Sequence, residues 1–152
     1  MKQLTLSLLL ILGRLVSLHG EDLAIIVAPG VHLDNLSQAE LGQVFLMDKK
    51  TSTATHLVVL MREKTAPERA VIMKDVYKMT EAQFEAYFLQ ATFTGMLTTP
   101  PRMIPSAPAV RKLVANNPGM IGYVASSLVD ASVKVVKVDG HAPGETGYPL
   151  KL

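Results

Sequence analysis

Cysteine is absent from the sequence of 152 residues. The chain therefore has no disulfide framework, no thiol nucleophile and no cysteine to which a lipid could be attached. Internal repeats and low-complexity tracts are absent as well, and a chain of this length buries one core of the usual size. These absences indicate one domain, and they are compatible with an oxidising compartment without requiring one.

Residues that could carry chemistry are few and scattered. The histidines stand singly, without the spacing of metal ligands, at His19, His32, His56 and His141. No serine lies in a Gly-x-Ser-x-Gly turn, and no pair of carboxylates stands out for acid–base work. The methionines follow no spacing typical of a copper site, and core filling explains them. We therefore expect no metal, no cofactor and no enzymatic activity.

The first twenty residues have the layout of a secretory signal peptide. Lys2 gives a basic start, Leu4–Leu12 form an apolar run, and the small Gly20 precedes an acidic pair. The run is too short, and too closely followed by polar residues, for a membrane span. Arg14 and Leu18 fit the pattern poorly, and they favour the alternative of an uncleaved N-terminal anchor. The layout predicts cleavage after residue 20 and a soluble periplasmic protein that is not a lipoprotein.

Charge is balanced in the predicted mature domain, residues 21–152. The whole chain has 15 basic and 13 acidic residues, and the signal peptide takes Lys2 and Arg14 with it. The formal charge of +2 therefore falls to zero. A neutral domain lacks the net positive charge that attracts nucleic acid, so no nucleic-acid partner is expected.

Strands and helices alternate along this domain. Unbroken apolar runs predict buried strands at Leu23–Ala28 and His56–Met61, and two more are predicted in "MIGYV" and "SVKVVKV", joined by a short turn or helical piece. Helices are predicted in "LSQAELGQVFL", from "MREKTAPERAV" to about Lys78, from Thr80 onward, and over Ala107–Asn116. The stretches "DKKTSTAT" and "TTPPRMIP" are predicted as a turn and a link. Two α/β layers around a largely parallel or mixed sheet are the natural packing.

Two of the predicted helices begin with a capping box that has apolar flanks. Ser37 with Glu40, and Thr80 with Gln83, have the spacing at which side chain and backbone cap each other. We expect both to be ordinary structural caps. A third pair with this spacing lies between them in the sequence, and its flanks differ.

The third pair is Thr65 with Glu68, where the flanking positions carry charge. Lys64 and Arg69 occupy these positions, and Arg62 stands just upstream at the end of a buried strand. The N-terminus of a helix has unpaired N–H groups and the positive end of a dipole, and cations beside it favour phosphate, sulfate or carboxylate. Open α/β sheets also bind ligands beyond the carboxyl ends of their strands. An anion site is one interpretation of this segment.

A solvated, well-capped helix is the other interpretation. Pro67 removes a backbone donor from the first turn, and Glu63 and Glu68 bring negative charge to the same place. Ser106 also has two interpretations. It is either a plain cap of its helix or a residue whose hydroxyl donates to a ligand. The residues alone leave both alternatives open.

Four stretches, in order, give the domain a family resemblance: "NLSQAELGQVFL", "AYFLQATFTG", "NNPGMIGYV" and "VDGHAPGETGYPLKL". They resemble segments of the phosphate-binding proteins of ABC importers, periplasmic solute-binding proteins of the two-lobed type II fold, and above all the short single-lobe versions. The resemblance covers nearly all of residues 21–152. It implies an α/β fold, a single lobe of a type II periplasmic-binding-protein fold, with a mixed, mostly parallel sheet flanked by helices.

The same resemblance implies an anion site. In full-length members a strand ends in arginine, a Ser-Gly-Thr turn follows, and the next helix holds the phosphate with its N-terminus. The matching segment here is Arg62 to Ala66. We expect Arg62, Thr65 and the amide of Ala66 to donate hydrogen bonds, while Lys64 and Arg69 supply positive charge. The Ser-Gly-Thr triplet is replaced here, and the phosphate loop of the first lobe has no counterpart.

Two functions follow as hypotheses. The first is a periplasmic solute-binding module for phosphate or a related oxyanion, serving an ABC importer. As one half of a clamp, it should hold its ligand weakly unless a second copy, in a homodimer, or another protein covers the site. The second is an envelope scaffold or interaction protein that keeps the lobe but has lost the ligand.

Overall fold

The computed structural model describes residues 20–48, 56–97 and 99–152. Its strands are β1 (Leu23–Val27), β2 (Asn35–Leu36), β3 (Val58–Arg62), β4 (Arg102–Ile104), β5 (Met120–Ala125) and β6 (Lys134–Val138). Its helices are α1 (Gln38–Phe45), α2 (Pro67–Val71), which continues as a π-helix (Ile72–Tyr77), α3 (Glu81–Phe93) and α4 (Ala107–Asn116), with a 3-10 turn at Ser126–Leu128. The predicted signal peptide, apart from Gly20, and most of the predicted turn "DKKTSTAT" lie outside the described residues.

The six strands form one sheet in the order β2-β6-β1-β5-β3-β4. Three pairings are parallel, namely β2 with β6, β3 with β4, and β3 with β5. The central strand β1 runs antiparallel to both of its neighbours, β5 and β6. The sheet is therefore mixed and mostly parallel, and the predicted α/β fold class is confirmed.

Helices cover both faces of the sheet, which explains why the sequence of β1 is apolar without interruption. Leu23, Ile25 and Val27 pack into the larger core with α1, the π-helix and α3, whereas Ala24 and Ile26 lie in a second core under α4. All five residues of β1 are fully buried. A strand covered on both faces reads as a continuous apolar run, and this run is what predicted the strand.

Helix N-termini were predicted correctly at the two capping boxes with apolar flanks, in which both residues lie within three positions of each other. The Ser37 hydroxyl accepts from the amide of Glu40 (3.1 Å), and the Glu40 carboxylate accepts from the amide of Ser37 (2.7 Å). Thr80 and Gln83 make the same two bonds at 3.2 and 2.9 Å. Both predicted capping boxes are confirmed, and α4 has the predicted bounds.

The strands β2 and β4 were not predicted, because they have only two and three residues and no unbroken apolar run. β4 lies in the Pro-rich link, where Ile104 pairs with Arg62 of β3. Pro101 and Pro105 bracket this edge strand, and proline cannot donate to the ladder, so the pairing ends after three residues. β2 is a two-residue strand just before α1, and it pairs with β6.

The helix predicted to run to about Lys78 is observed as α2 and the π-helix. Lys78 ends it in a left-handed conformation, with φ of 54°. Across residues 20–48, 56–97 and 99–152, no helix is long and apolar enough to cross a membrane.

Candidate functional site

Arg62 ties three neighbouring strands together at the carboxyl end of β3. Its backbone N–H donates to the hydroxyl of Tyr123 on β5 (2.8 Å), and its Nη1 donates to the carbonyl of Ile104 on β4 (3.1 Å). The Tyr123 hydroxyl in turn donates to the sulfur of Met61 (3.7 Å). Burial raises the pKa of Tyr123, so this hydroxyl stays protonated. The Arg62 guanidinium is thus held at the edge where open α/β sheets bind ligands.

One nitrogen of this guanidinium is buried without a hydrogen-bond partner. Within the part of the chain that the structure describes, Nε of Arg62 and Oε2 of Glu68 are the buried side-chain atoms that lack one. They face each other at 4.0 Å, which is too long for a hydrogen bond. A buried polar group left unsatisfied costs about 1–3 kcal/mol. An oxygen atom placed beside Nε would therefore recover part of that energy.

Arg69 lies behind this edge and is fully buried. Its Nε and Nη2 donate to the two carboxylate oxygens of Glu81 (2.7 Å each), and its Nη1 donates to the carbonyl of Arg62 (2.8 Å). The guanidinium also lies 5.1 Å from the ring centre of Phe84. The hydrogen bond between Arg69 and Glu81 lowers the pKa of Glu81 and raises the pKa of Arg69. Arg69 therefore fixes the end of β3 against α3, with its donors engaged inside the protein.

The loop between β3 and α2 carries the remaining predicted donors. Lys64 and Thr65 are exposed, and Nζ of Lys64 pairs with the carboxylate of Glu85 on α3. The amide of Ala66 donates to the carbonyl of Glu63 (3.0 Å) and closes a turn. The structure thus places Lys64, Thr65 and Ala66 beside the end of β3, with the ammonium of Lys64 and the amide of Ala66 bonded within the chain.

The predicted capping box at Thr65 and Glu68 is wrong. α2 begins one residue later, with Ala66 as its N-cap and no side-chain cap bond. The turn before the helix places Pro67 at the first helical position, where its missing N–H does no harm. The cap therefore falls on alanine, which has no side-chain acceptor. Glu68 turns its carboxylate toward Arg62 instead.

Because Thr65 does not cap α2, Thr65→Ala is expected to change the free energy of unfolding by less than about 0.5 kcal/mol. Thr80→Ala is the matched control, since it removes a formed cap and should cost about 1 kcal/mol. Denaturant unfolding of the two variants and the parent protein measures both effects. Equal losses from the two variants would mean that Thr65 does cap a helix in solution.

Ser106 stands at the same edge of the sheet. Its hydroxyl accepts from the amide of Ala109 (3.3 Å) and caps α4. Because Arg62 pairs with Ile104, the N-terminus of α4 begins beside the carboxyl end of β3. Ser106 is exposed, and a hydroxyl that accepts a cap bond still has a proton to donate.

The residues that hold these arginines were missed by sequence reasoning. Glu81 lies 12 residues from Arg69, and Tyr123 lies 61 residues from Arg62. The sequence shows Glu81 only as an acidic residue in the first turn of a helix, where the helix dipole stabilises a negative charge. No local pattern indicates which cation such a residue will bind.

Histidine and carboxylate side chains are dispersed over the described residues. In residues 20–48, 56–97 and 99–152, no group of three or more of them stands together to hold a metal ion. The end of β3 has hydrogen-bond donors and cations, and each of these cations has one carboxylate beside it. Charged donors of this kind suit an oxygen-rich anion.

No protein-family model matches the chain, and no curated protein matches it either. Solved structures do match. A protein of Clostridium perfringens, described as a phosphate ABC transporter substrate-binding protein and solved with bound phosphate, gives a TM-score of 0.62 at 21% identity, covering 80% of this chain and 46% of that one. An ABC-type phosphate transport receptor of Vibrio cholerae gives 0.59 at 18% identity, covering 82% and 49%.

PstS of Borrelia burgdorferi gives a TM-score of 0.61 at 15% identity, covering 82% of this chain and 50% of that one. The chain has the fold of a single lobe of a type II periplasmic binding protein. It spans about half of the length of each of these structures. At such low identity the likeness concerns the fold of the lobe.

Proposed function

We propose that this lobe is a binding-protein-like module that holds phosphate or a related oxyanion at the carboxyl end of β3. The observation that carries the proposal is the buried Nε of Arg62, a charged donor without a hydrogen-bond partner in the described ranges. It lies where the parallel strands β3, β4 and β5 end together. The fold adds support, because one of the matching structures was solved with bound phosphate.

Three residues contact the anion in this proposal. Arg62 donates from Nε once Glu68 has turned away, and this bond is the strongest because the donor is charged. Thr65 donates its hydroxyl from the exposed loop, where it serves no cap. Ser106 donates from the N-terminus of α4 while it continues to cap that helix.

The other predicted residues act after a small rearrangement or from behind. Lys64 exchanges its exposed pair with Glu85 for the ligand, and such a pair is worth only about 0–1 kcal/mol. The amide of Ala66 becomes a donor when its turn to the carbonyl of Glu63 opens. Arg69 is a positioning residue, because it holds the carbonyl of Arg62.

Glu68 opposes the ligand in this arrangement. Its carboxylate faces Arg62 at 4.0 Å, so it cancels the charge that would attract an anion. Binding requires Glu68 to turn away, and that requirement keeps the affinity of the single lobe low. Removing the negative charge of Glu68 should therefore strengthen binding.

The lobe acts by binding alone and carries out no covalent chemistry in this proposal. It works in the periplasm, and it passes its ligand to an ABC importer or presents it to another envelope protein. The fold likeness to transport receptors supports this role. The partner that receives the ligand would be recognised by co-purification from envelope extracts.

A scaffold that has lost its ligand is the second candidate. One observation favours it, since each cation of the site faces a carboxylate of the same chain, in the pairs Arg62/Glu68, Lys64/Glu85 and Arg69/Glu81. A site that is neutral by itself needs no bound anion to be stable. A protein partner, rather than an ion, would then be what the lobe binds.

Calorimetric titration separates the two candidates. The purified protein, dialysed free of phosphate, is titrated with phosphate and then with sulfate, together with Arg62→Ala, Glu68→Gln and the control Arg102→Ala. Arg62→Ala should weaken binding by about 10- to 100-fold, because a hydrogen bond from a charged donor contributes about 1.5–3 kcal/mol. Glu68→Gln should bind more tightly than the parent. Arg102 is exposed on β4, so Arg102→Ala should bind as the parent does.

Either of two results would decide against the anion site. Parent protein and Glu68→Gln could both give no heat at millimolar anion, which would favour the scaffold. Alternatively, Arg62→Ala and Arg102→Ala could weaken binding equally, which would mean that the anion senses only the net charge of the surface.

A further inference from the structure

Helix α3 is apolar on two opposite faces. Its inner face packs into the larger core through Phe84, Phe88 and Ala91. Its outward face carries a line of exposed apolar residues, which we call the outer stripe: Ala82, Ala86, Leu89, Phe93 and, just past the end of the helix, Met96. Leu89, Phe93 and Met96 are 62%, 84% and 55% exposed. An apolar face of a helix in a soluble protein normally packs against another element.

The spacing of the outer stripe is that of a helix–helix seam. Its four members on the helix, from Ala82 to Phe93, follow one another at intervals of four, three and four residues, which is the heptad pattern of helices that pack side by side. Met96 lies beyond the helix, after the left-handed Gly95. The outward face of α4 gives the contrast, because it carries Lys112 and Asn116. The pattern on α3 is therefore not a general property of helices in this lobe.

Charge does not oppose the approach of another helix to this face. The only charged residues of α3 are Glu81 and Glu85, and they pair with Arg69 and Lys64 of the same chain. The remaining polar residues of the helix are glutamine and threonine. Two copies of this helix can meet without repulsion between like charges.

Side-chain size along the outer stripe makes it complementary to itself. The N-terminal half has the small Ala82 and Ala86, and the C-terminal half has the large Phe93 and Met96, with Leu89 between the halves. In an antiparallel pair with Leu89 on the two-fold axis, each large half lies over the small half of the other helix. Alternating large and small residues in this way lets facing layers interdigitate.

We propose that a second copy of this chain covers the outer stripe, through an antiparallel α3–α3 contact. Phe93 packs over the partner's Ala86, Met96 over the partner's Ala82, and Leu89 against the partner's Leu89. The contact is isologous, so it closes as a dimer and does not propagate.

The area of the outer stripe places this contact among the small protein–protein interfaces. The exposed parts of Leu89, Phe93 and Met96 amount to about 400 Å² of apolar surface per copy, which is the size of patch that often marks an interaction site. Two copies bury about 800 Å² from these three side chains. The residues around the outer stripe add to this area and bring the contact toward the lower limit of about 1,200 Å² for a specific interface. The dimer is therefore reversible and concentration-dependent.

Sedimentation velocity between about 1 and 500 µM, a range that brackets a weak association, tests the proposal. The full protein should shift from the mass of one chain toward that of two, whereas Phe93→Ser should stay at one chain throughout. Phe93 is largely exposed, so this variant keeps its fold, which circular dichroism checks. Met103→Ser, which removes an exposed methionine outside the outer stripe, should dimerise as the parent does.

Cysteine cross-linking tests the antiparallel geometry, because the chain has no cysteine of its own. Under mild oxidation Leu89→Cys should form a disulfide dimer with itself. Ala82→Cys and Met96→Cys should cross-link when mixed, and much less when each is oxidised alone. A single-chain mass at every concentration, an unchanged dimer in Phe93→Ser, or equal cross-linking of Met96→Cys with itself would overturn the proposal.

Discussion

Glu81→Ala is expected to lower the free energy of unfolding by about 3–5 kcal/mol, the loss seen when one partner of a buried ion pair is removed. The substitution leaves the guanidinium of Arg69 charged and fully buried, with the donors of Nε and Nη2 unpaired. The Glu81 side chain is 36% exposed, so water that takes its place should hold the loss near the lower end of this range. Denaturant unfolding measures the effect.

Glu85→Ala is the matched control, because Glu85 lies on the same helix but pairs with the exposed Lys64. That pair should contribute about 0–1 kcal/mol. Arg69→Met should cost less than Glu81→Ala, because it removes the buried charge itself and leaves a carboxylate that water can reach. Equal losses from Glu81→Ala and Glu85→Ala would contradict the role given to the buried pair.

Acid titration gives a second readout of the same pair. The hydrogen bond with Arg69 lowers the pKa of Glu81 below its ordinary value of 4.5. A carboxylate with a lowered folded pKa stabilises the fold above its unfolded pKa, and this contribution is lost as the pH falls through the folded value. Glu81→Gln should therefore lose less further stability than the parent protein when the pH is lowered below 4.5.

Gly122→Ala is expected to destabilise the protein by about 1–3 kcal/mol, because it overpacks the core under α4. A Cβ at this position of β5 would lie 2.7 Å from Cγ1 of Val110 and 3.2 Å from Cγ2 of Val114. Both valines are fully buried. Either α4 must move away from the sheet or the valines must leave their preferred rotamers. Thermal and denaturant unfolding measure the loss.

A compensating substitution tests the cause of this loss. Val110→Ala removes the methyl group that the new Cβ would meet, so the double variant should be less destabilised than the sum of the two single ones. Gly119→Ala is the matched control, because nothing lies within 4 Å of a Cβ at that position. A double variant whose loss equals the sum would mean that Val110 is not what Gly122→Ala meets.

The parts of the fold that the sequence predicted are those with local causes. The run of β1 is apolar because both of its faces are covered, and the Ser37 and Thr80 caps need only residues three positions away. α4 is bounded by Ser106 and by a proline–glycine pair, and its ends were predicted to the residue. Such signals act within a few residues, so one sequence is enough to see them.

The candidate site was predicted only in outline, because its geometry depends on distant partners. The sequence shows that Lys64 and Arg69 are cations, but it does not show that Glu85 and Glu81 hold them from 21 and 12 residues away. The N-cap of α2 is Ala66, one residue after the predicted cap at Thr65, because a turn precedes the helix. Tertiary contacts therefore decided which charges face solvent and which are used inside the protein.

Backbone amide chemical shifts during a phosphate titration test the central claim most directly. With the 15N-labelled protein, saturable shifts are predicted for residues 62–66 and for Ile104, Ser106 and Ala107, and Arg62→Ala should abolish them. Matched additions of chloride control for ionic strength. Shifts that do not saturate, that lie on other parts of the sheet, or that persist in Arg62→Ala would contradict an oxyanion site at the carboxyl end of β3.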